Sequence, residues 1–124
     1  MGPRMLGVSG VPLILQFTVL GPPVGKERPR VTPHGTYTPK RTRMYEATIY
    51  GMAQLRVPRD WPLDARYWLH VGFTGRCDGD NVRKAVADAL EGVCYHNDRQ
   101  IDKGSDERIT GTPRTEITIE VLAA

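Results

Sequence analysis

Apolar residues recur along this chain in two rhythms, and the changes of rhythm mark out its elements. Leu13, Leu15, Phe17 and Val19 alternate with other residues, which predicts a strand over residues 12–20. Tyr45, Ile49, Met52 and Leu55 recur at helical spacing and predict a helix over residues 41–56, ended by Pro58 and Pro62. Tyr67, Leu69, Val71 and Phe73 alternate again, giving a second strand over 66–74 that Gly75 closes. From about residue 80 the helical rhythm returns. Val82, Ala85, Val86, Ala89, Leu90 and Val93 fall on one face, Asn81, Lys84 and Asp88 cluster on another, and Gly92 is a stop signal. Ile117, Ile119 and Val121 predict a closing strand, with residues 106–110 as a short strand beside it.

Two segments stand outside these rhythms. Residues 1–11 carry little periodicity and read as a flexible N-terminal extension, leaving residues 12–124 as a single domain. The front of the chain imitates a signal peptide, but Gly, Ser and Pro interrupt it and alternation from Leu13 onward favours a strand. Residues 21–40 hold five prolines and three glycines and read as a long loop, a feature more often functional or disordered than incidental. Residues 95–105 form a polar loop containing Asp98.

A chain of 124 residues with 40% apolar and 25% charged residues suits one globular domain with a modest core. No run of 18 apolar residues is present, which argues against a membrane span. Cys77 and Cys94 do not make a disulfide framework and read as reduced thiols of a cytosolic protein. With His96 they give three zinc-type ligands at none of the usual spacings, and nothing marks a Cys–His nucleophile pair.

Charge adds more. The net charge is +3, yet residues 26–43 carry six cations (Lys26, Arg28, Arg30, Lys40, Arg41 and Arg43) against Glu27, for +5 within the segment and about −2 elsewhere. Such a concentration suits an anionic polymer, with a solvated basic loop as the plain alternative.

The stretch RCDGDNVRKAVADALEGVCYHNDRQI, residues 76–101, holds the candidate chemistry. Asp78 and Asp80 are two residues apart. If the preceding strand runs on through Asp80, both carboxylates face one spot. Like charges held together call for a cation, and oxygen ligands favour Mg²⁺ or Mn²⁺ over zinc. Asp98 could complete the site if its loop folds back over the helix start, and Lys84 could steady the scissile phosphate, the attacking hydroxide or the leaving oxygen. Each residue also has a structural explanation. Asp78 or Asp80 could cap the helix, Lys84 and Asp88 could form a surface pair, and Asp98 could serve a turn beside Asn97. Residues alone therefore point to a metal-dependent phosphodiesterase without excluding a purely structural cluster.

The stretches DGDNVRKAVADALEGV and YHNDRQI, with GKERPRVT at 25–32 and TYTPKRTRMYE at 36–46, resemble the RusA family of Holliday junction resolvases common in phages and prophages. With the final strands the resemblance covers roughly residues 14–122. It implies an α/β (α+β) fold, a small mixed β-sheet packed with two main helices, assembled as a homodimer. It implies a Mg²⁺-dependent endodeoxyribonuclease, Mn²⁺ substituting, that resolves four-way DNA junctions in recombination and repair. The family's catalytic and metal-binding aspartates fall on Asp78, Asp80 and Asp98, and its motif lysine on Lys84. Arg76 matches a basic position and joins Lys26, Arg28, Arg30, Lys40, Arg41 and Arg43 as the expected DNA surface. Tyr37 is a candidate to stack on an unpaired base. Asn97 departs from the pattern, where many members carry a second acid.

The expected partners are junction DNA and a second copy of the chain in the cytoplasm of a bacterial or phage-infected cell, with no membrane and no small-molecule cofactor. Other readings are a junction-binding protein without cleavage, a broader branched-DNA or flap nuclease, and a basic protein that binds RNA.

Overall fold

A computed structural model describes residues 13–27, 30–37 and 39–123. The N-terminal extension and Arg28 lie outside the described residues, as do the side chains of Arg30 and Tyr37. The elements run β1 (Ile14–Leu20), β2 (Arg30–Thr32), β3 (Gly35–Tyr37), α1 (Lys40–Arg56), β4 (Arg66–Phe73), α2 (Gly79–Ala89), β5 (Ile101–Arg108) and β6 (Arg114–Ala123). The mixed sheet and two helices make an α+β fold, as expected.

The main sheet has the order β1-β6-β4-β5. β6 pairs antiparallel with both β1 and β4, so Ile119 lies opposite Leu15 on one side and Leu69 on the other, and Ile117 opposite Phe17 and Val71. Because side chains alternate across a pleated sheet, this register gathers the apolar residues of all three strands on one face. Both helices cover that face. α1 brings Thr42, Tyr45, Ile49 and Ala53 to it, and α2 brings Val82, Ala85, Val86 and Ala89. Leu69, Ile117 and Ile119 are fully buried there.

Three details differ from the sequence expectations. First, the loop at 21–40 contains the hairpin β2–β3, whose three-residue strands are too short to show a period. Second, Leu55 is exposed; the buried stripe of α1 runs through Thr42, Tyr45, Ile49 and Ala53, with Met52 partly buried. Third, the strand before β6 is longer than residues 106–110 and does not pair with β6. β5 pairs in parallel with β4, at the far edge of the sheet. A parallel neighbour needs a crossover, and α2 supplies it. β5 has almost no apolar residues because an edge strand buries little, so it gave no alternating signal.

An aromatic cluster fixes the turn after α2. Trp61 stacks on Tyr67 at 6.0 Å and Tyr67 meets Tyr95 at 5.6 Å between ring centroids. Trp61 Nε1 donates to the Cys94 carbonyl at 2.9 Å, and the Tyr95 hydroxyl donates to the Ala87 carbonyl. Burial pushes the Cys94 thiol up to about 12 and the Tyr95 hydroxyl well above its ordinary value, so both stay neutral. These contacts hold the residues leading to Asp98 against the core.

Candidate active site

The start of α2 separates the two motif aspartates. β4 ends at Phe73, so the extended backbone imagined through Asp80 does not exist; Gly75 turns the chain at φ 92° and Asp78 becomes the N-cap. Its Oδ1 accepts the Asp80 backbone N–H at 2.9 Å. Asp80, in the first helical turn, projects outward instead. Asp80, Arg83, Lys84 and Ala87 recur at helical spacing and line one groove of roughly 360 Å³, closed by Leu69, Ile101 and Gly104 from the sheet and by Asp98. The groove thus opens between α2 and the edge strand β5, and it unites three of the four expected residues: Asp80, Lys84 and Asp98. Asp78 faces a neighbouring groove with Lys26, Arg41, Cys77 and Asn81.

Asp98 is presented by a 3₁₀ turn, Asp98–Gln100, with Asn97 as its cap. Asn97 Oδ1 accepts the Arg99 N–H at 2.9 Å, and Gln100 Oε1 accepts the Asn97 N–H at 3.0 Å. Gln100 Nε2 also donates to the carbonyls of Leu63 and Ala65 at 2.8 and 3.0 Å, tying the turn to the sheet entrance. Asn97 thus caps the turn that presents the adjacent Asp98, a role an aspartate would fill equally well, so capping does not account for the departure from the family pattern.

Two acids passed over in the sequence join Asp98. Ligand oxygens of Asp88, Glu91 and Asp98 lie within 4.8 Å of one another. The Glu91 carboxylate also accepts the Asp98 N–H at 3.2 Å. Asp88 lies in the last turn of α2 and Glu91 just beyond its C-cap Leu90, so two acids three residues apart at a helix end could have flagged the cluster. Asp102, the other nearby acid, is taken up by Arg66, Nε to Oδ1 3.0 Å, and that hydrogen bond holds its carboxyl below the ordinary carboxylate value. All the acids gathered here offer oxygen, which suits a hard divalent cation such as Mg²⁺ or Mn²⁺. Cys94 is buried in the core and both cysteines are free thiols.

The basic residues divide into two groups. Lys26 Nζ lies 2.7 Å from Glu46 and 3.1 Å from Asp88, bridging α1 and α2. Burial pulls the Lys26 pKa down, but its hydrogen bonds to Glu46 and Asp88 outweigh that and raise it above the ordinary value. Its backbone N–H also donates to the Asn81 carbonyl at 2.9 Å, docking the proline-rich segment on α2. Lys40, Arg41, Arg43 and Arg76 are exposed and make no ion pair with a described residue. Arg41 and Arg76 line a shared groove with Pro22, Pro23 and Cys77. Arg43 lies beside Asp88 and Glu91.

A mixed sheet with a parallel crossover helix, carrying acids and a lysine in one groove, defines a candidate phosphodiester-cleaving protein. Residues 21–120 match the family Endodeoxyribonuclease RusA, and the chain belongs to that family of junction-resolving, metal-dependent endodeoxyribonucleases. No curated protein matches the chain. No helix among the described residues is long and apolar enough to cross a membrane.

Proposed function

We propose that this protein is a Mg²⁺-dependent endodeoxyribonuclease that resolves four-way junctions by paired symmetric nicks, with Mn²⁺ as a substitute. The observation that carries the reading is the convergence of Asp80, Lys84 and Asp98 on one groove at the sheet edge. Asp80 and Asp98 would hold the ion, with Asp88 and Glu91 adding negative charge around Asp98. Asp78, which lines the neighbouring groove, would contribute from that side through the carboxylate oxygen that its cap leaves over. A divalent ion bound there polarises a phosphodiester and lowers the pKa of attacking water.

Lys84 makes no ion pair or hydrogen bond with a described residue and lines the groove, so its ammonium is available for charge on the scissile phosphate. Asn97 and Gln100 orient Asp98, and the buried Trp61–Tyr67–Tyr95 cluster keeps that turn in place. Lys40, Arg41, Arg43 and Arg76, together with Arg28 and Arg30, would contact junction phosphates. Lys26 would act mainly by holding the basic segment against α2. Two cuts across a two-fold junction call for a two-fold dimer with one site per subunit. The site of action would be the cytoplasm of a bacterial or phage-infected cell, in DNA recombination and repair.

The test is incubation with a mobile four-way junction, a flap and a matched duplex, each with and without Mg²⁺. Symmetric paired nicks confined to the junction support resolution. Equal cutting of the flap supports a broader branched-DNA nuclease, and binding with no cut under Mg²⁺ or Mn²⁺ sinks the enzymatic reading.

A further inference from the structure

Arg83 sits in the groove between two carboxylates. Its Nη2 lies 2.9 Å from Asp80 Oδ1 and its Nη1 2.6 Å from Asp106 Oδ2 on β5. The two contacts are unequal. The Asp80 side chain is 75% exposed, whereas Asp106 and Arg83 are 28% and 29% exposed. Gly104 lets the guanidinium lie across β5, since a Cβ there would come within 3.2 Å of Arg83 Nε. Gly79 makes room for Asp106 in the same way, because a Cβ at 79 would collide with that carboxylate. Arg83 is therefore seated on Asp106, and Asp80 is its looser partner. An exposed ion pair is worth little and exchanges readily, while the shorter, better shielded one persists.

We propose that Arg83 is an exchangeable counter-ion for Asp80 and a phosphate-positioning residue: it pairs with Asp80 while no divalent ion is bound, and it turns the donors so released toward a DNA phosphate once a divalent ion takes Asp80. This rests on the nuclease reading of the same groove. Arg83 competes with the cation for one carboxylate, so losing Arg83 strengthens cation binding. Losing Asp106 leaves Asp80 as the main anionic partner of the guanidinium, so it weakens cation binding. Metal and DNA become coupled through one side chain, each favouring the other.

The experiment is Mn²⁺ titration by calorimetry without DNA, on the full chain and on Asp80→Asn, Arg83→Gln and Asp106→Asn, with folding checked by circular dichroism. Arg83→Gln is expected to bind Mn²⁺ about two- to fivefold more tightly and Asp106→Asn about two- to fivefold more weakly. Arg83→Lys, should the glutamine variant fail to fold, keeps the charge without the planar fork and is expected to fall between wild type and that gain. Junction binding measured with and without Ca²⁺ should lose its Ca²⁺-dependent gain in Arg83→Gln. A merely structural Arg83 would shift both variants toward weaker binding, and that shared direction, or unchanged affinity, overturns the proposal. Wild-type Mn²⁺ binding that survives in Asp80→Asn overturns the site itself and the proposal with it. Loss in Asp80→Asn without opposite shifts at 83 and 106 overturns only the role of Arg83.

Discussion

The Asp78 carboxylate accepts the backbone N–H of Asp80 at 2.9 Å, so the first motif aspartate builds the helix that aims the second. One residue shapes the site and the other faces its groove. This division decides how each should respond to substitution.

At position 78, the cap and the negative charge can be removed separately. Asp78→Asn keeps a good cap and loses the charge, so stability should hold within about 0.5 kcal/mol while cleavage is lost. Asp78→Ala loses both and should also cost about 0.5–2 kcal/mol by chemical denaturation. Full cleavage by Asp78→Asn would reduce Asp78 to a cap.

Asn97 offers the complementary case. Asn97→Ala removes the acceptor for the Arg99 N–H, so the turn bearing Asp98 loosens. Stability should fall by about 0.5–2 kcal/mol and cleavage by about 10- to 100-fold. Asn97→Asp preserves the cap and should keep the turn and most of the cleavage. Loss of cleavage in the aspartate variant, with the alanine variant unaffected, would contradict the orienting role.

The two kinds of basic residue should separate by salt titration. Arg41→Ala with Arg43→Ala should lower the slope of log affinity against log salt by up to about 1.8, near 0.9 for each phosphate no longer neutralised. Lys26→Met leaves Glu46 and Asp88 facing each other without their shared cation. It should cost about 1–3 kcal/mol of stability and change the salt slope little. A reversed pattern in fluorescence-anisotropy titrations would reassign Lys26 to the DNA surface.

The core also carries a pH signature. Burial pushes Cys94 from 9.0 up to about 12, and Tyr67 from 10.0 up to about 12. Their contribution is complete below pH 9. Above it the unfolded chain releases protons that the folded chain retains, so stability falls by up to about 1.4 kcal/mol per pH unit for each group. Urea midpoints should fall progressively from about pH 9 toward pH 12, and Cys94→Ala should flatten the early part of that fall. A wild-type midpoint unchanged over that range would contradict the assignment.

The apolar rhythm made β1, β4, β6 and both helices legible because each buries one side: Leu15 and Ile119 face the same core that Ile49 and Val86 cover. β5 escaped because an edge strand reading IDKGSDER has little to bury, and β2 and β3 escaped because three residues show no period. At the site, Asp80, Lys84 and Asp98 stood out through motif and resemblance. Arg83 did not, because its position depends on Asp106, 23 residues away, brought alongside by a parallel crossover that the pattern did not reveal. Asp88 read only as a possible surface partner of Lys84 and Glu91 carried no signal of its own, although the chain turn at Gly92 returns Asp98 to both.

Asp80→Asn in a single-turnover assay on a mobile four-way junction with Mg²⁺ or Mn²⁺, alongside junction binding at the same salt, tests the central claim most directly. The wild type should give paired symmetric nicks and the variant none, with binding retained or strengthened because a negative charge near phosphate is gone. Normal cutting by Asp80→Asn would contradict it.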